Sequence, residues 1–278
     1  MSKSQQREIW LCADDYGISP AVSAAICDLI ARGHINATSV MVASPSFSAQ
    51  AADALRDVAT THAAIGLHLT LTAPFRPLRS AFAPLRNGAF LPLKAMAGRA
   101  LVRSLKPAPL AAEISSQFAA FHLAFGRAPD FVDGHQHIHL FPQIGEALLS
   151  VVKTAAPRAW LRQCGRPASA PKSFGDPKGL VLDRLSARFQ KLAARHGLRT
   201  NPAFAGTYSF RPRADYAKLF PDFIDGLPDG GVVMCHPGKV DGELRRLDPL
   251  TDLREREYAF FLDDDFPQLL AERGVTLA

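Results

Sequence analysis

The strongest constraint on the fold is a repeated alternation of short apolar runs with helical patterns. The first apolar run, residues 9–13, ends at the polar stretch "DDYG", and a helical pattern then extends from Ser19 and Pro20 to Gly33. A serine cap, a proline in the first turn and a glycine after the last turn are ordinary helix boundaries. The same alternation predicts eight strands, at residues 9–13, 39–43, 65–71, 131–137, 159–163, 202–205, 232–235 and 275–277.

Strands that alternate with helices form parallel βαβ units, so the pattern predicts an α/β protein. A chain of 278 residues, 47% of them hydrophobic, can bury one large core. At this length, eight strand and helix units favour a closed or nearly closed barrel over an open sheet. We therefore expect residues 1–278 to form a single (β/α) barrel domain with seven or eight parallel strands.

Composition narrows the classes of protein. The N-terminus is polar, and no apolar run approaches the ~20 residues that cross a bilayer, so we expect a cytoplasmic protein without a transmembrane segment. The net charge is +6, but the basic residues form no recognisable nucleic-acid-binding motif, and nucleic acid is not an expected partner. The four cysteines have no CxxC spacing and are expected to be reduced thiols.

Chemically active side chains follow several predicted strands. In a barrel of parallel strands, binding and catalytic groups collect at the carboxyl ends. The residues found there are Asp14, Asp15, His68, Asp133, His135, Arg162, Tyr208 and His236. One aspartate and two histidines from this group would suffice to bind a divalent cation and leave positions open for water and substrate.

The stretch "DGHQHIH" (133–139) carries three histidines at alternate positions behind an aspartate. Side chains alternate along a strand, so one face should carry, for as long as the strand lasts, Asp133, His135, His137 and His139. Taken alone, these signals are ambiguous. A single histidine such as His68 is more often a hydrogen-bonded core residue, and an aspartate pair before a glycine is often a turn.

Four motifs in fixed order, "ADDYG", "GLHLTL", "DGHQHIHLFP" and "MCHPG", resemble the YdjC-like (ChbG/HpnK) family of carbohydrate deacetylases. The resemblance extends from residue 10 to about residue 240. It implies an irregular (β/α) barrel of the glycoside hydrolase/deacetylase type, one divalent metal cation, and removal of acetyl groups from N-acetylated sugars. Chitooligosaccharides are the characterised substrate class, and other members are associated with hopanoid glycolipids.

Carried over residue by residue, the resemblance implies that Asp15, His68 and His135 are metal ligands, that Asp14 is the general base and that His236 is the general acid. Two imidazoles favour zinc, whereas magnesium prefers oxygen ligands and is the ion often assigned to this family.

Other residues are expected to support these groups. Asp133 is expected to orient a histidine ligand, and His137 either supports a ligand or is an ordinary polar residue near a loop. Arg162 either holds a sugar hydroxyl or tunes Asp14. Tyr208 and Tyr16 are candidate substrate contacts, and Tyr16 stands where the family commonly has phenylalanine.

Alternative functions remain open from the sequence. A deacetylase of a lipid-linked, hopanoid-type aminosugar would use the same residues. A metal-dependent phosphoesterase would also place Asp and His at strand ends, and a non-catalytic sugar-binding protein would need neither the paired carboxylates nor His236. The expected partner is an acetylated saccharide, and homo-oligomer formation is left open.

A basic and apolar insertion at about residues 73–108 follows the third strand. Residues 58–112 contain no Asp or Glu. The basic residues are Arg76, Arg79, Arg86, Lys94, Arg99, Arg103 and Lys106, and they alternate with large apolar side chains. Long connections in barrels are usually lids or binding loops, so we expect this one to overhang the site and to choose the substrate. Peripheral contact with a membrane is a second expectation, and a solvated basic face is the plain alternative.

Overall fold

The computed structural model of the protein describes residues 6–60, 62–167, 177–211 and 213–278. The strands are β1 (Arg7–Tyr16), β2 (Ala37–Val40), β3 (Ala64–Leu69), β4 (Leu85–Arg86), β5 (Ala89–Phe90), β6 (Phe131–Gly134), β7 (Trp160–Leu161), β8 (Phe204–Ala205), β9 (Val232–Cys235) and β10 (Val275–Leu277). The α-helices are α1 (Pro20–Ala31), α2 (Ala49–Ala59), α3 (Leu93–Leu101), α4 (Pro107–Phe125), α5 (Pro142–Ala155), α6 (Pro177–Arg195), α7 (Tyr216–Ile224), α8 (Gly242–Leu247), α9 (Asp252–Leu262) and α10 (Phe266–Glu272). A short 3₁₀ helix, His135–Leu140, follows β6.

The main sheet is parallel and curled. Its strand order is β7-β6-β3-β2-β1-β9-β8, and β10 pairs with the first residues of β1. The two ends of the sheet approach each other, because Leu161 of β7 forms a parallel bridge with Thr200, just before β8. The prediction of an α/β fold with a nearly closed parallel barrel is confirmed, and each of the eight predicted strands corresponds to a strand of this sheet.

Local sequence explains where the first helices begin. The side chain of Ser19 accepts a hydrogen bond from the Val22 amide at the start of α1, and Ser48 does the same for Ala51 at the start of α2. Such caps satisfy amides that have no partner inside the helix. The helices bury their apolar faces against the sheet, so the carboxyl ends of the strands remain the place where polar side chains meet.

The predicted strand at residues 131–137 was too long. β6 ends at Gly134, and the chain turns into the 3₁₀ helix with φ of 55° at Gln136 and 56° at His137. A Cβ on Gly134 would lie 2.9 Å from Nδ1 of His139, so only glycine lets the chain fold back this closely. The two-residue alternation therefore stops with the strand, and it does not extend to His137 and His139.

Two helices, α9 and α10, occupy the C-terminal helical region before β10. The break falls at three consecutive aspartates, where the Asp263 side chain accepts a hydrogen bond from the Asp265 amide. Local bonds of this kind compete with helical hydrogen bonding. A proline in the first turn of α10 then favours a new helix start.

The segment between β3 and α4 is tied to the barrel by buried side chains. The Glu113 carboxylate accepts hydrogen bonds from the amides of Leu78 (3.1 Å) and Arg79 (2.9 Å). The Gln143 amide group bonds both the N–H (3.0 Å) and the carbonyl (2.7 Å) of Leu105. The β4-β5 hairpin and α3 lie between these attachments, so the segment is anchored near both of its ends.

Two expectations drawn from the composition, on the cysteines and on membrane spans, can be compared with the structure. All four cysteines are free thiols. Within the described ranges, no helix combines the length and the apolar character that a bilayer crossing requires.

Candidate metal centre

An irregularity near the end of β1 places two consecutive carboxylates in one site. The pairing of β1 with β2 shifts register between Ala13 and Tyr16, and Asp15 has a φ of 70°. Neighbouring side chains on a regular strand point to opposite faces, whereas such a bulge redirects one of them. Asp14 and Asp15 are consequently both buried among the polar side chains at the carboxyl end of the sheet.

Asp15 meets two histidines. Its Oδ1 lies 3.2 Å from Nε2 of His68 and 3.0 Å from Nδ1 of His135. One donor atom from each of the three residues lies within 4.8 Å of the others. One carboxylate oxygen and two imidazole nitrogens converging in this way fit a divalent cation with further positions left for water or substrate.

The His68 ring is oriented through Nδ1, the nitrogen that does not face Asp15. Its Nδ1 lies 2.7 Å from Oδ1 of Asp133 and 2.9 Å from Oγ of Ser39. A carboxylate on one ring nitrogen fixes the tautomer and leaves the other nitrogen for a metal. Burial would lower the pKa of His68, but the charges and hydrogen bonds of Asp133 and Asp15 outweigh it and raise that pKa to about 10.

Asp15 is held on its other oxygen by a buried arginine of α9. Nη2 of Arg254 lies 2.5 Å from Oδ2 of Asp15 and 2.9 Å from Oδ2 of Asp248. Burial acts to raise the pKa of Asp15, but the guanidinium and the His135 ring hold it well below its usual range. Sequence reasoning missed Arg254 and also Ser39, because neither belongs to a motif that separates it from other residues of its type.

Asp14 is paired with a different arginine. Nη1 and Nη2 of Arg162 lie 2.6 Å and 2.7 Å from its two oxygens, and Nη2 also lies 2.6 Å from Oδ2 of Asp133. Burial acts to raise the pKa of Asp14, but Arg162 holds it below its usual range. Of the two roles expected for Arg162, its contacts are those of a residue that tunes Asp14.

A second group of potential ligands is Cys12, Asp14 and Asp133. The guanidinium of Arg162 donates to Cys12, with Nη2 2.8 Å from its Sγ, and to Asp14, and it forms an ion pair with Asp133. A cation already fills the space between these donors, and burial raises the pKa of the Cys12 thiol well above its usual range. These three residues therefore hold the Arg162 side chain and are not a second metal site.

His236 follows β9 and is half-buried at the same end of the sheet. Burial lowers the pKa of His236, although the nearby carboxylates of Asp15 and Asp14 oppose the shift. Its Nδ1 has no hydrogen-bond partner among the described residues. Tyr208 lies nearby, and its hydroxyl donates to Oε1 of Glu257 at 2.6 Å.

Three predicted side chains lie outside this cluster of contacts. Tyr16 is buried and donates its hydroxyl to the carbonyl of Ala51, so it contacts the helix layer. His137 packs edge-on against Phe204, with Nδ1 3.4 Å from Sγ of Cys164. His139 lies 2.8 Å from the carbonyl of Arg162, and burial lowers the pKa of each of these two histidines to about 3.

The segment between β3 and α4 reaches this centre. The ring of Phe75 is buried and meets the His135 ring edge-on, with centroids 5.5 Å apart and planes at 89°. An apolar wall against one imidazole limits the directions from which water and substrate approach it.

The fold and the site define an α/β barrel-type protein with a candidate divalent-cation centre, Asp15, His68 and His135, at the carboxyl ends of its strands. The chain belongs to the YdjC-like protein family, whose model matches residues 8–272.

Curated relatives and solved structures resemble the chain over nearly its full length. A chitooligosaccharide deacetylase of Proteus mirabilis is 31% identical over 95% of this chain and 94% of its own. A chitooligosaccharide deacetylase of Citrobacter koseri is 28% identical, over 87% of this chain and 85% of its own. A crystal structure from Enterococcus faecalis is described as that of a cellobiose-phosphate cleavage protein. It is 22% identical in sequence, covers 99% of this chain and 97% of its own, and superposes with a TM-score of 0.74. This similarity shows that the two proteins share a fold.

Proposed function

We propose that the protein is a metal-dependent carbohydrate N-deacetylase that hydrolyses the acetamide of an N-acetylglucosamine-containing saccharide of the chitooligosaccharide type. The observation that carries the proposal is the arrangement of two adjacent carboxylates, one within an Asp–His–His donor set and one beside it. The names of the curated relatives support the same reaction and substrate class.

Hydrolysis of an amide needs an activated water, stabilisation of charge on the carbonyl oxygen, and a proton for the departing nitrogen. A divalent cation on Asp15, His68 and His135 would lower the pKa of a water and polarise the acetyl carbonyl. The two imidazoles favour zinc, and magnesium is the second candidate. The remaining requirements fall to side chains outside the donor set.

Asp14 is the proposed general base. Arg162 keeps it ionised and orients it through both oxygens. Oδ1 also accepts from the Ser39 hydroxyl at 3.2 Å, whereas Oδ2, with its one bond from Arg162, retains a lone pair for a water proton. As the water oxygen bonds to the acetyl carbon, its proton passes to Asp14. Because Arg162 lowers the pKa of Asp14, this carboxylate is ionised at neutral pH but is a weak base. It can therefore take a proton only from a water whose own pKa is lowered.

His236 is the proposed general acid. It is half-buried at the same end of the sheet as the donor set, and its Nδ1 is not committed to another group of the described chain. When the bond between the acetyl carbon and the nitrogen breaks, protonated His236 gives its proton to the nitrogen, and acetate and a free amino sugar leave. Tyr208 and the Phe75 wall are the proposed contacts with the saccharide.

The test is acetate release from N-acetylglucosamine oligomers by purified protein. Wild-type protein should release acetate and free amine in equal amounts, lose this activity with a chelator, and regain it with zinc or magnesium. The same preparations are offered p-nitrophenyl phosphate, which a phosphoesterase on this scaffold would hydrolyse. Binding of the oligomer without acetate release in the metal-restored protein would instead favour a sugar-binding protein.

A further inference from the structure

Helix α9 carries a second fully buried charge close to the site, the carboxylate of Glu257. Its Oε1 accepts from the Tyr208 hydroxyl at 2.6 Å, and its Oε2 accepts from the main-chain N–H of His236 at 2.5 Å. We propose that Glu257 is a positioning residue that fixes the His236 main chain and the Tyr208 ring in one arrangement. The proposal rests on the proposed function, because it gives His236 a part in the reaction.

A buried carboxylate is costly unless its oxygens are bonded or its charge is paired. Within the described part of the chain Glu257 forms no ion pair of its own, and the Tyr208 hydroxyl and the His236 N–H that bond it are both neutral donors from other segments. A glutamine or an apolar side chain would fill the same space at lower cost. A carboxylate supplies both acceptors that these two donors face, whereas a glutamine satisfies them only if the Tyr208 hydroxyl turns to accept from its NH₂.

The two donors belong to the segments that follow neighbouring strands. Tyr208 follows β8 and His236 follows β9, and Glu257 bonds one group from each. Phe210 is two residues after Tyr208 in the chain and 41% exposed, and its ring centroid lies 4.4 Å from that of Tyr208 and 5.7 Å from that of His236. Loss of Glu257 would therefore remove the two hydrogen bonds that link these segments through α9, and the Phe210 ring contact with His236 would remain.

The position of the His236 side chain depends on the bond between Glu257 and the His236 main chain. Its Nδ1 has no hydrogen-bond partner among the described residues, so its place is set by its main chain and by the edge-on ring of Phe210. One helical turn earlier on α9, Arg254 holds Asp15. The same helix thus positions a proposed metal ligand and the proposed general acid.

Two variants separate positioning from a merely structural role. Glu257→Gln keeps an oxygen for the His236 N–H and offers its NH₂ to the Tyr208 oxygen, so kcat should stay within about threefold of wild type. Glu257→Ala loses both bonds, and kcat per folded molecule should fall on the order of 100-fold with metal content and KM nearly unchanged. Glu255 is an exposed carboxylate on the same helix whose Oε1 accepts from the Val240 amide at 3.3 Å, so Glu255→Ala is the matched control for loss of a carboxylate that bonds neither His236 nor Tyr208, and it should behave as wild type.

A second readout does not require activity. In protein labelled with ¹⁵N-histidine, the His236 amide proton should move upfield in Glu257→Ala and stay in place in Glu257→Gln, because the first variant alone removes its acceptor. An unchanged amide shift, or a Glu257→Ala kcat equal to that of Glu255→Ala, overturns the proposal. If wild-type protein released no acetate from any saccharide, the proposed function would fail, and the amide shift would still decide whether Glu257 holds His236.

Discussion

Asp14 and Asp15 are neighbours on one strand, yet each is held by a different arginine. Oδ2 of Asp14 lies 2.6 Å from Nη1 of Arg162, and Oδ2 of Asp15 lies 2.5 Å from Nη2 of Arg254. Arg162 is shared with Asp133 and Arg254 with Asp248, but each aspartate of the pair has its own adjacent guanidinium, so both stay ionised side by side in a buried site, where two unpaired carboxylates would share a proton. This separation allows one carboxylate to bind a cation while the other exchanges protons.

Asp133→Asn should weaken metal binding without removing a ligand. Asp133 orients His68 through its Nδ1, and loss of such a partner typically costs 10- to 100-fold in metal affinity. Titration of metal-free protein with zinc, followed by calorimetry, measures the change. An affinity equal to that of wild type would show that His68 does not need Asp133 to bind metal.

His236→Gln should lower kcat on the order of 10²- to 10⁴-fold and leave metal content and thermal stability close to wild type. The reason is that Nδ1 of the half-buried imidazole has no hydrogen-bond partner among the described residues, so little native structure depends on it. Steady-state kinetics and thermal unfolding give the two readouts. A variant with near-normal kcat would require another proton donor.

Glu257 should make stability depend on pH. Burial raises its pKa from 4.5 to about 7. Between these values the folded state keeps a proton that the unfolded state has lost, so the free energy of unfolding falls as pH rises. The loss is complete above about pH 7, and it amounts to at most about 3 kcal/mol.

Glu257→Gln removes this titration. Measured by urea unfolding, its stability relative to wild type should therefore improve from pH 5 to pH 8. A difference between the two proteins that is the same at both pH values would contradict the raised pKa.

The insertion at about residues 73–108 should be rigid where it is attached to the barrel. The amides of Leu78 and Arg79 bond to the buried Glu113 carboxylate, and the Leu105 amide bonds to Gln143, so all three should exchange slowly with deuterium. Glu113→Ala should lose protection at residues 78–79 and keep it at residue 105. Rapid exchange at all three amides in wild-type protein would indicate a mobile lid.

The fold was predictable because parallel βαβ units leave a strong pattern, and the eight strand positions follow from apolar runs such as 232–235. The stretch 133–139 misled the same reasoning, because a turn at Gly134 with positive φ at Gln136 and His137 ends the alternation. The spacing of the histidines along the sequence gives no sign of such a turn.

The site was predictable only in part. The strand-end rule and the family motifs brought out Asp15, His68 and His135, which do converge. Arg254 and Glu257 could not be found, because they come from a helix and act through contacts between residues that are distant in sequence. The roles of these residues, the contacts of the insertion with lipid or membrane, and the treatment of 1–278 as one catalytic domain stay predictions.

The account is tested most directly by measuring metal content and acetate release together in Asp14→Asn and Asp15→Asn. Asparagine tolerates the positive φ at residue 15, so both variants avoid a backbone penalty there. Asp14→Asn should keep the metal content of wild type while acetate release falls on the order of 10²- to 10⁴-fold, and Asp15→Asn should lose both metal and activity. Equal loss of metal in the two variants, or normal acetate release by Asp14→Asn, would contradict the division of roles between the two aspartates.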